Sequence, residues 1–114
     1  MRATFVELPP FERHRKEYLD DSAFQALQNE MLKNPQAGDV IKDTGGLRKL
    51  RFSDRRRGKG KRGGLRVIYY WWIDESQFLL FTVYDKDEMS DLSPDERKKL
   101  GIMLDKELKA RIIK

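Results

Sequence analysis

Nine consecutive residues, Leu65-Arg66-Val67-Ile68-Tyr69-Tyr70-Trp71-Trp72-Ile73, are apolar or aromatic at every position except Arg66. Successive side chains of a strand point to opposite faces, so a run that is apolar at both parities reads as a central strand covered on both sides. Such a strand needs neighbouring strands and covering helices, and the chain supplies both. Thr4-Phe5-Val6-Glu7-Leu8 is a β-prone run stopped by Pro9-Pro10, which also suit the start of a helix. A helix from Phe11 places Phe11, Tyr18 and Leu19 on one stripe. Asp20-Asp21-Ser22 offers capping side chains for a second helix, whose Phe24, Leu27 and Met31 keep helical spacing until Asn34-Pro35. Gln36 to Gly46 reads as loop, with Gly38, Gly45 and Gly46 as breakers.

Leu47-Arg48-Lys49-Leu50-Arg51-Phe52 predicts a second strand, in which alternation separates Leu50 and Phe52 from Lys49 and Arg51. A Gly- and Lys-rich loop follows from Arg55 to Gly64, then the central strand, a short turn at Asp74 to Gln77, and a strand from Phe78 to Tyr84. Ser93-Pro94-Asp95-Glu96 is a capping box with proline at the first helical position. In the helix it opens, Leu100, Leu104, Leu108 and Ile112 recur every four residues with Met103 beside them. The expected architecture is α+β: an N-terminal strand, two helices, a three-stranded antiparallel meander completing a small sheet, and a C-terminal helix. One domain spans residues 1–114.

Charged residues make up 38% of the chain, polar for a globular protein, yet the aromatics and the apolar periodicity predict a folded core. With no cysteine, disulfides and thiolate metal sites are excluded. No apolar run approaches the roughly 18 residues of a membrane span, and Met1-Arg2-Ala3 leads straight into a strand-like segment. The expectation is a cytoplasmic protein with no membrane partner.

The charge is unevenly placed. Arg48 to Arg66 holds ten lysines and arginines against the single acid Asp54, in a chain whose net charge is only +5. A cationic segment between strands suits a polyanion held along a sheet, so nucleic acid is the first partner to consider. Lys49, Arg51 and Arg66 can converge on one phosphodiester if their strands are neighbours, with Arg48, Arg55, Arg56, Arg57, Lys59, Lys61 and Arg62 extending the contact with nucleic acid. The plainer alternative is a solvated loop; cations sharing one face of a half-buried strand favour the groove.

Cleavage of RNA would need a base for the 2′-hydroxyl proton, cations for the charged phosphorane, and an acid for the leaving oxygen. His14, the only histidine, lies in the first helix among charged neighbours and reads as an exposed helix residue. The work would fall to lysine, or to Tyr84, which shares its parity with Lys86 at the end of the last strand and could either stack on a base or exchange a proton. Asp85, Asp87, Glu88 and Asp91 lack EF-hand spacing, and Gly58-Lys59-Gly60-Lys61 lacks that of a P-loop, so no metal or nucleotide cofactor is expected. The aromatics from Tyr69 to Trp72 read as core ahead of a base-stacking platform.

Three strings together carry a family resemblance: Gly45-Gly46-Leu47-Arg48-Lys49-Leu50-Arg51-Phe52; Gly58 to Tyr70; and Thr82-Val83-Tyr84-Asp85-Lys86 with Asp87 to Leu92. The chain resembles the HigB-type toxins of the RelE/ParE toxin–antitoxin superfamily over nearly its whole length. The resemblance implies a RelE-like fold and a ribosome-dependent mRNA endonuclease cutting in the A site. It also implies a cognate antitoxin, typically with a helix-turn-helix domain. Lys49, Arg51 and Arg66 match basic site positions of the RelE-like branch, and Tyr84 and Lys86 correspond to the end of its final strand. The ParE-like branch, whose members poison gyrase, and a noncatalytic RNA- or ribosome-binding module are the alternatives.

Overall fold

The computed structural model describes residues 2–53, 64–89 and 91–112. The expected loop cations Arg55, Arg56, Arg57, Lys59, Lys61 and Arg62 lie outside the described residues. The elements are β1 (Thr4–Glu7), α1 (Pro9–Tyr18), α2 (Asp21–Lys33), β2 (Asp39–Val40), β3 (Arg48–Phe52), β4 (Leu65–Trp72), β5 (Gln77–Asp85) and α3 (Pro94–Ile112). A single 3₁₀ turn, Ile73–Glu75, joins β4 to β5. Each helix begins where its first residues allow. Pro9 and Pro10 occupy the first positions of α1, where a missing N–H costs nothing. Asp20 caps α2 by accepting from the Ala23 N–H at 2.7 Å. The capping box of α3 closes in both directions, Ser93 N–H to Glu96 Oε1 at 2.8 Å and Glu96 N–H to Ser93 Oγ at 3.1 Å.

The strands form one five-stranded sheet in the order β1-β5-β4-β3-β2. β3, β4 and β5 are the expected antiparallel meander, β1 adds to β5 in parallel, and β2 pairs antiparallel with β3. β2 corrects the reading of 36–46 as loop throughout. Gly45 and Gly46, at φ of +81° and +119°, turn the chain from β2 into β3.

The sheet is covered on both faces, as the run in β4 required. Phe11 from α1 and Leu27 and Met31 from α2 pack on Leu50, Phe52, Val67, Tyr69, Phe78 and Leu80. On the opposite face Leu100 and Leu104 of α3 pack on Leu47, Ile68, Leu79 and Phe81. The apolar stripe of α3 stops short of its end, since Ile112 is 68% exposed. Tyr69 is fully buried within β4, Trp71 packs against Phe78 with ring centroids 4.5 Å apart, and Tyr70, Trp71 and Trp72 are half-buried.

Alternation breaks once, in β5. Leu80 pairs with Tyr69 while Thr82 pairs with Ile68, so Phe81 is an extra residue with no partner in β4. This β-bulge reverses the facing of everything after it. Counted strictly from Phe78, Tyr84 would face α1 and α2; with the bulge it faces α3, opposite Arg66.

Candidate active site

Register places the site on the α3 face. Arg51 pairs directly with Arg66, and Arg66 pairs directly with Tyr84, so the three side chains form one row across β3, β4 and β5. Lys49 stands two residues along β3 from Arg51 and therefore on the same face. The structure thus brings together four of the residues singled out in the sequence.

Their environments differ. Arg51 is exposed and Arg66 is only 4% exposed, donating from one guanidinium nitrogen to the Leu65 carbonyl at 3.2 Å. Burial, and then the Arg51 charge opposite, weaken the hold of Arg66 on its proton. Guanidinium is basic enough to remain a cation even so. Like charges directly across a sheet repel, and an anion between them removes the repulsion.

Lys49 Nζ meets Asp91 Oδ1 at 3.2 Å. The same carboxylate oxygen accepts the Leu92 N–H at 2.8 Å. That backbone bond first, and the bond from Lys49 second, hold the Asp91 carboxyl below its ordinary range. Asp91 therefore occupies the ammonium that a phosphate would use. Spacing could not reveal this pair, since its members lie 42 positions apart in sequence.

Tyr84 is buried, and among the described residues its hydroxyl has no hydrogen-bond partner. Burial and then the charge of Asp91 push it up to about 12, against a smaller opposing effect of Arg66. It is a proton donor across the physiological range. Lys86 lies one residue beyond β5, in a turn, so the parity that paired it with Tyr84 no longer sets its direction. Its backbone N–H donates to the Gly64 carbonyl at 3.1 Å, which brings it beside the start of β4.

Arg48 belongs to the other face. It donates to the Gln36 and Gly38 carbonyls at 3.2 and 2.8 Å and ties the segment before β2 to β3. The acids from Asp85 to Asp91 are dispersed among separate contacts: Asp85 accepts from the Asp87 N–H, Glu88 accepts from the Tyr18 hydroxyl, and Asp91 pairs with Lys49. Among the described residues no group of three or more metal-ligating side chains is assembled.

His14 is the residue whose setting the sequence hid. It is half-buried, and it lines a cavity with Tyr18 and Tyr84 because α1 lies along β5 beyond the end of β1. The expectation of an exposed helix residue is corrected by that packing.

No protein-family model matches the chain. Among solved structures, a double arginine-to-alanine variant of the E. coli toxin RelE in the free state superposes with a TM-score of 0.53 at 12% identity, over 79% of this chain and 90% of that one. The chain has the RelE fold. The N-terminal strand, paired helices, mixed sheet and C-terminal helix expected from the sequence are those of a RelE-like domain. Among the described residues no helix is long and apolar enough to cross a membrane.

Proposed function

We propose that the chain is the toxin of a type II toxin–antitoxin system, a HigB-type, ribosome-dependent endonuclease that cuts mRNA in the A site. The observation that carries this reading is the row Arg51, Arg66, Tyr84 with Lys49 beside it, two guanidiniums and an ammonium around a buried phenol. The RelE fold adds to it, since the protein of that fold is a toxin.

The reaction is attack of an mRNA 2′-hydroxyl on the adjacent phosphorus, leaving a 2′,3′-cyclic phosphate, or its opened product, and a 5′-hydroxyl. Arg51 and Arg66 hold the phosphorane oxygens, where charge develops. Lys49 is the candidate base: it must leave Asp91 and release its ammonium proton to solvent, so that the free amine can take the proton of the attacking 2′-hydroxyl. Tyr84 donates to the departing 5′-oxygen, and Lys86 adds a further cation from the turn. The scheme uses no metal and no cofactor. A phenol pushed up to about 12 is a reluctant acid at neutral pH. Chemistry of this kind gains most from a second component that fixes the RNA, and the ribosome supplies that alignment.

The partners are the ribosome with its mRNA and a cognate antitoxin, of the helix-turn-helix type, and the site of action is the cytoplasm. Inducing the protein in growing bacteria and mapping mRNA 5′ ends tests the proposal. New 5′-hydroxyl ends inside coding sequences, with translation halted, are expected. Growth arrest with a DNA-damage response and no new ends would identify a gyrase poison instead, and translation arrest without ends a noncatalytic binder.

A further inference from the structure

Lys86 stands beyond the end of β5, where strand register no longer aims a side chain, so its place depends on the turn that carries it. That turn is closed by local bonds around the buried Asp85. The N–H groups of Glu88 and Met89 donate to the Asp85 carbonyl at 3.1 and 3.0 Å, and that of Asp87 donates to Asp85 Oδ1 at 2.8 Å. From outside the turn, the hydroxyl of Tyr18, the last residue of α1, donates to Glu88 Oε2 at 2.9 Å across 70 positions of sequence. We propose that Tyr18 is a positioning residue for the reaction: through Glu88 it fixes the turn, and the turn fixes Lys86. The inference rests on the endonuclease reading above and adds to it a residue that acts through another.

The two ends of this clamp differ in a way that suits positioning. Tyr18 is buried in the core beneath α1, which packs along β5, so its ring is a fixed post. Burial, and then the bond to Glu88, push its phenol up to about 12, and it remains a donor throughout the working pH range. Glu88 is exposed, so water replaces the bond at little cost to folding when the phenol is removed. The turn is thus tied to α1 at Glu88 and to β4 at Lys86, whose N–H donates to the Gly64 carbonyl at 3.1 Å, two residues ahead of Arg66. Without the tie to α1, the local bonds keep the shape of the turn but not its placement against β4. Asp91 has anchors of its own in the Leu92 N–H and in Lys49, so loss of the clamp falls on Lys86. A misplacement of about 1 Å can cost up to about 100-fold in rate, and less for one cation among several.

Single-turnover cleavage of a defined mRNA on purified ribosomes, with the protein in excess and its concentration varied, provides the test. Tyr18→Phe should lower the saturated rate on the order of tenfold, leave the half-saturating concentration within about twofold, and melt within a few degrees of the unaltered protein. In a Lys86→Ala background the same change should cost less than about twofold, since no ammonium is left to place. Glu88→Ala should match Tyr18→Phe, while Glu88→Gln, which keeps an oxygen to accept the bond, should stay within about threefold of the original rate. Because Glu88 is exposed, that pair decides the matter even if Tyr18→Phe fails to fold by circular dichroism. A folded Tyr18→Phe or Glu88→Ala protein cleaving within about twofold of the original, or slowed equally with and without Lys86, overturns the positioning role and leaves the endonuclease reading standing. No cleavage by the unaltered protein overturns both.

Discussion

Arg66 offers the sharpest separation of function from folding. Arg66→Ala removes the buried guanidinium and its stem, and the two losses have different sizes. On the catalytic side, losing one preorganised donor to a developing oxyanion costs on the order of 100-fold, about 2.7 kcal/mol of barrier. On the folding side, the two buried methylenes beyond Cβ are worth about 1.6 kcal/mol at roughly 0.8 kcal/mol each, offset by relief of repulsion from Arg51. Arg66→Met keeps the apolar stem and discards only the charge. It should therefore unfold within a few degrees of the unaltered protein, yet cleave programmed ribosomes about 100-fold more slowly in single-turnover primer extension. A folded Arg66→Met protein cleaving within about threefold of the original would refute the assignment of Arg66 to the phosphorane.

Asp91→Asn should tighten binding to translating ribosomes at low salt, because Lys49 no longer has a charged partner to give up; affinity measured against salt checks this. Asp91 is 64% exposed in its side chain, so the stability cost should stay below about 1 kcal/mol. Its lowered carboxyl contributes above the ordinary carboxylate range and loses that contribution as pH falls through the lowered value. Tyr84→Phe removes a buried hydroxyl that has no partner among the described residues, so thermal unfolding should hold or rise while cleavage falls. A phenol raised from 10.0 to about 12 contributes stability below pH 10 that is lost as pH climbs toward 12, and the phenylalanine variant should show a shallower alkaline decline in a pH series of melts. Gly38→Ala should destabilise by about 1–3 kcal/mol in denaturant titration, since its Cβ would stand 2.9 Å from the Lys49 backbone.

Much of the fold was legible because its signals are local. The capping box at Ser93, Asp20 ahead of α2 and the doubly apolar run in β4 each state their own geometry. β2 was not, because a strand of two exposed residues, Asp39 and Val40, carries no alternation to read. The bulge at Phe81 was hidden for the opposite reason: β5 is apolar on both faces, so a slipped parity leaves no mark on the pattern. The site followed the same division. Lys49 and Arg51 sharing a face was a local fact, whereas Arg66 standing opposite Arg51 required the register of the hairpin. The partners of Lys49 and Arg48, and the cavity that takes in His14, are set by elements distant in sequence.

In the proposed reaction the sheet gathers Lys49, Arg51 and Arg66 around one RNA linkage that the ribosome aligns. Incubating purified protein with a defined mRNA, on ribosomes and free, and identifying both termini at each break tests this most directly. Breaks confined to A-site codons of ribosome-bound mRNA, each with a 5′-hydroxyl opposite a 2′,3′-cyclic phosphate or its opened product, are predicted. Intact mRNA on the ribosome, or 5′-phosphate ends, would contradict it.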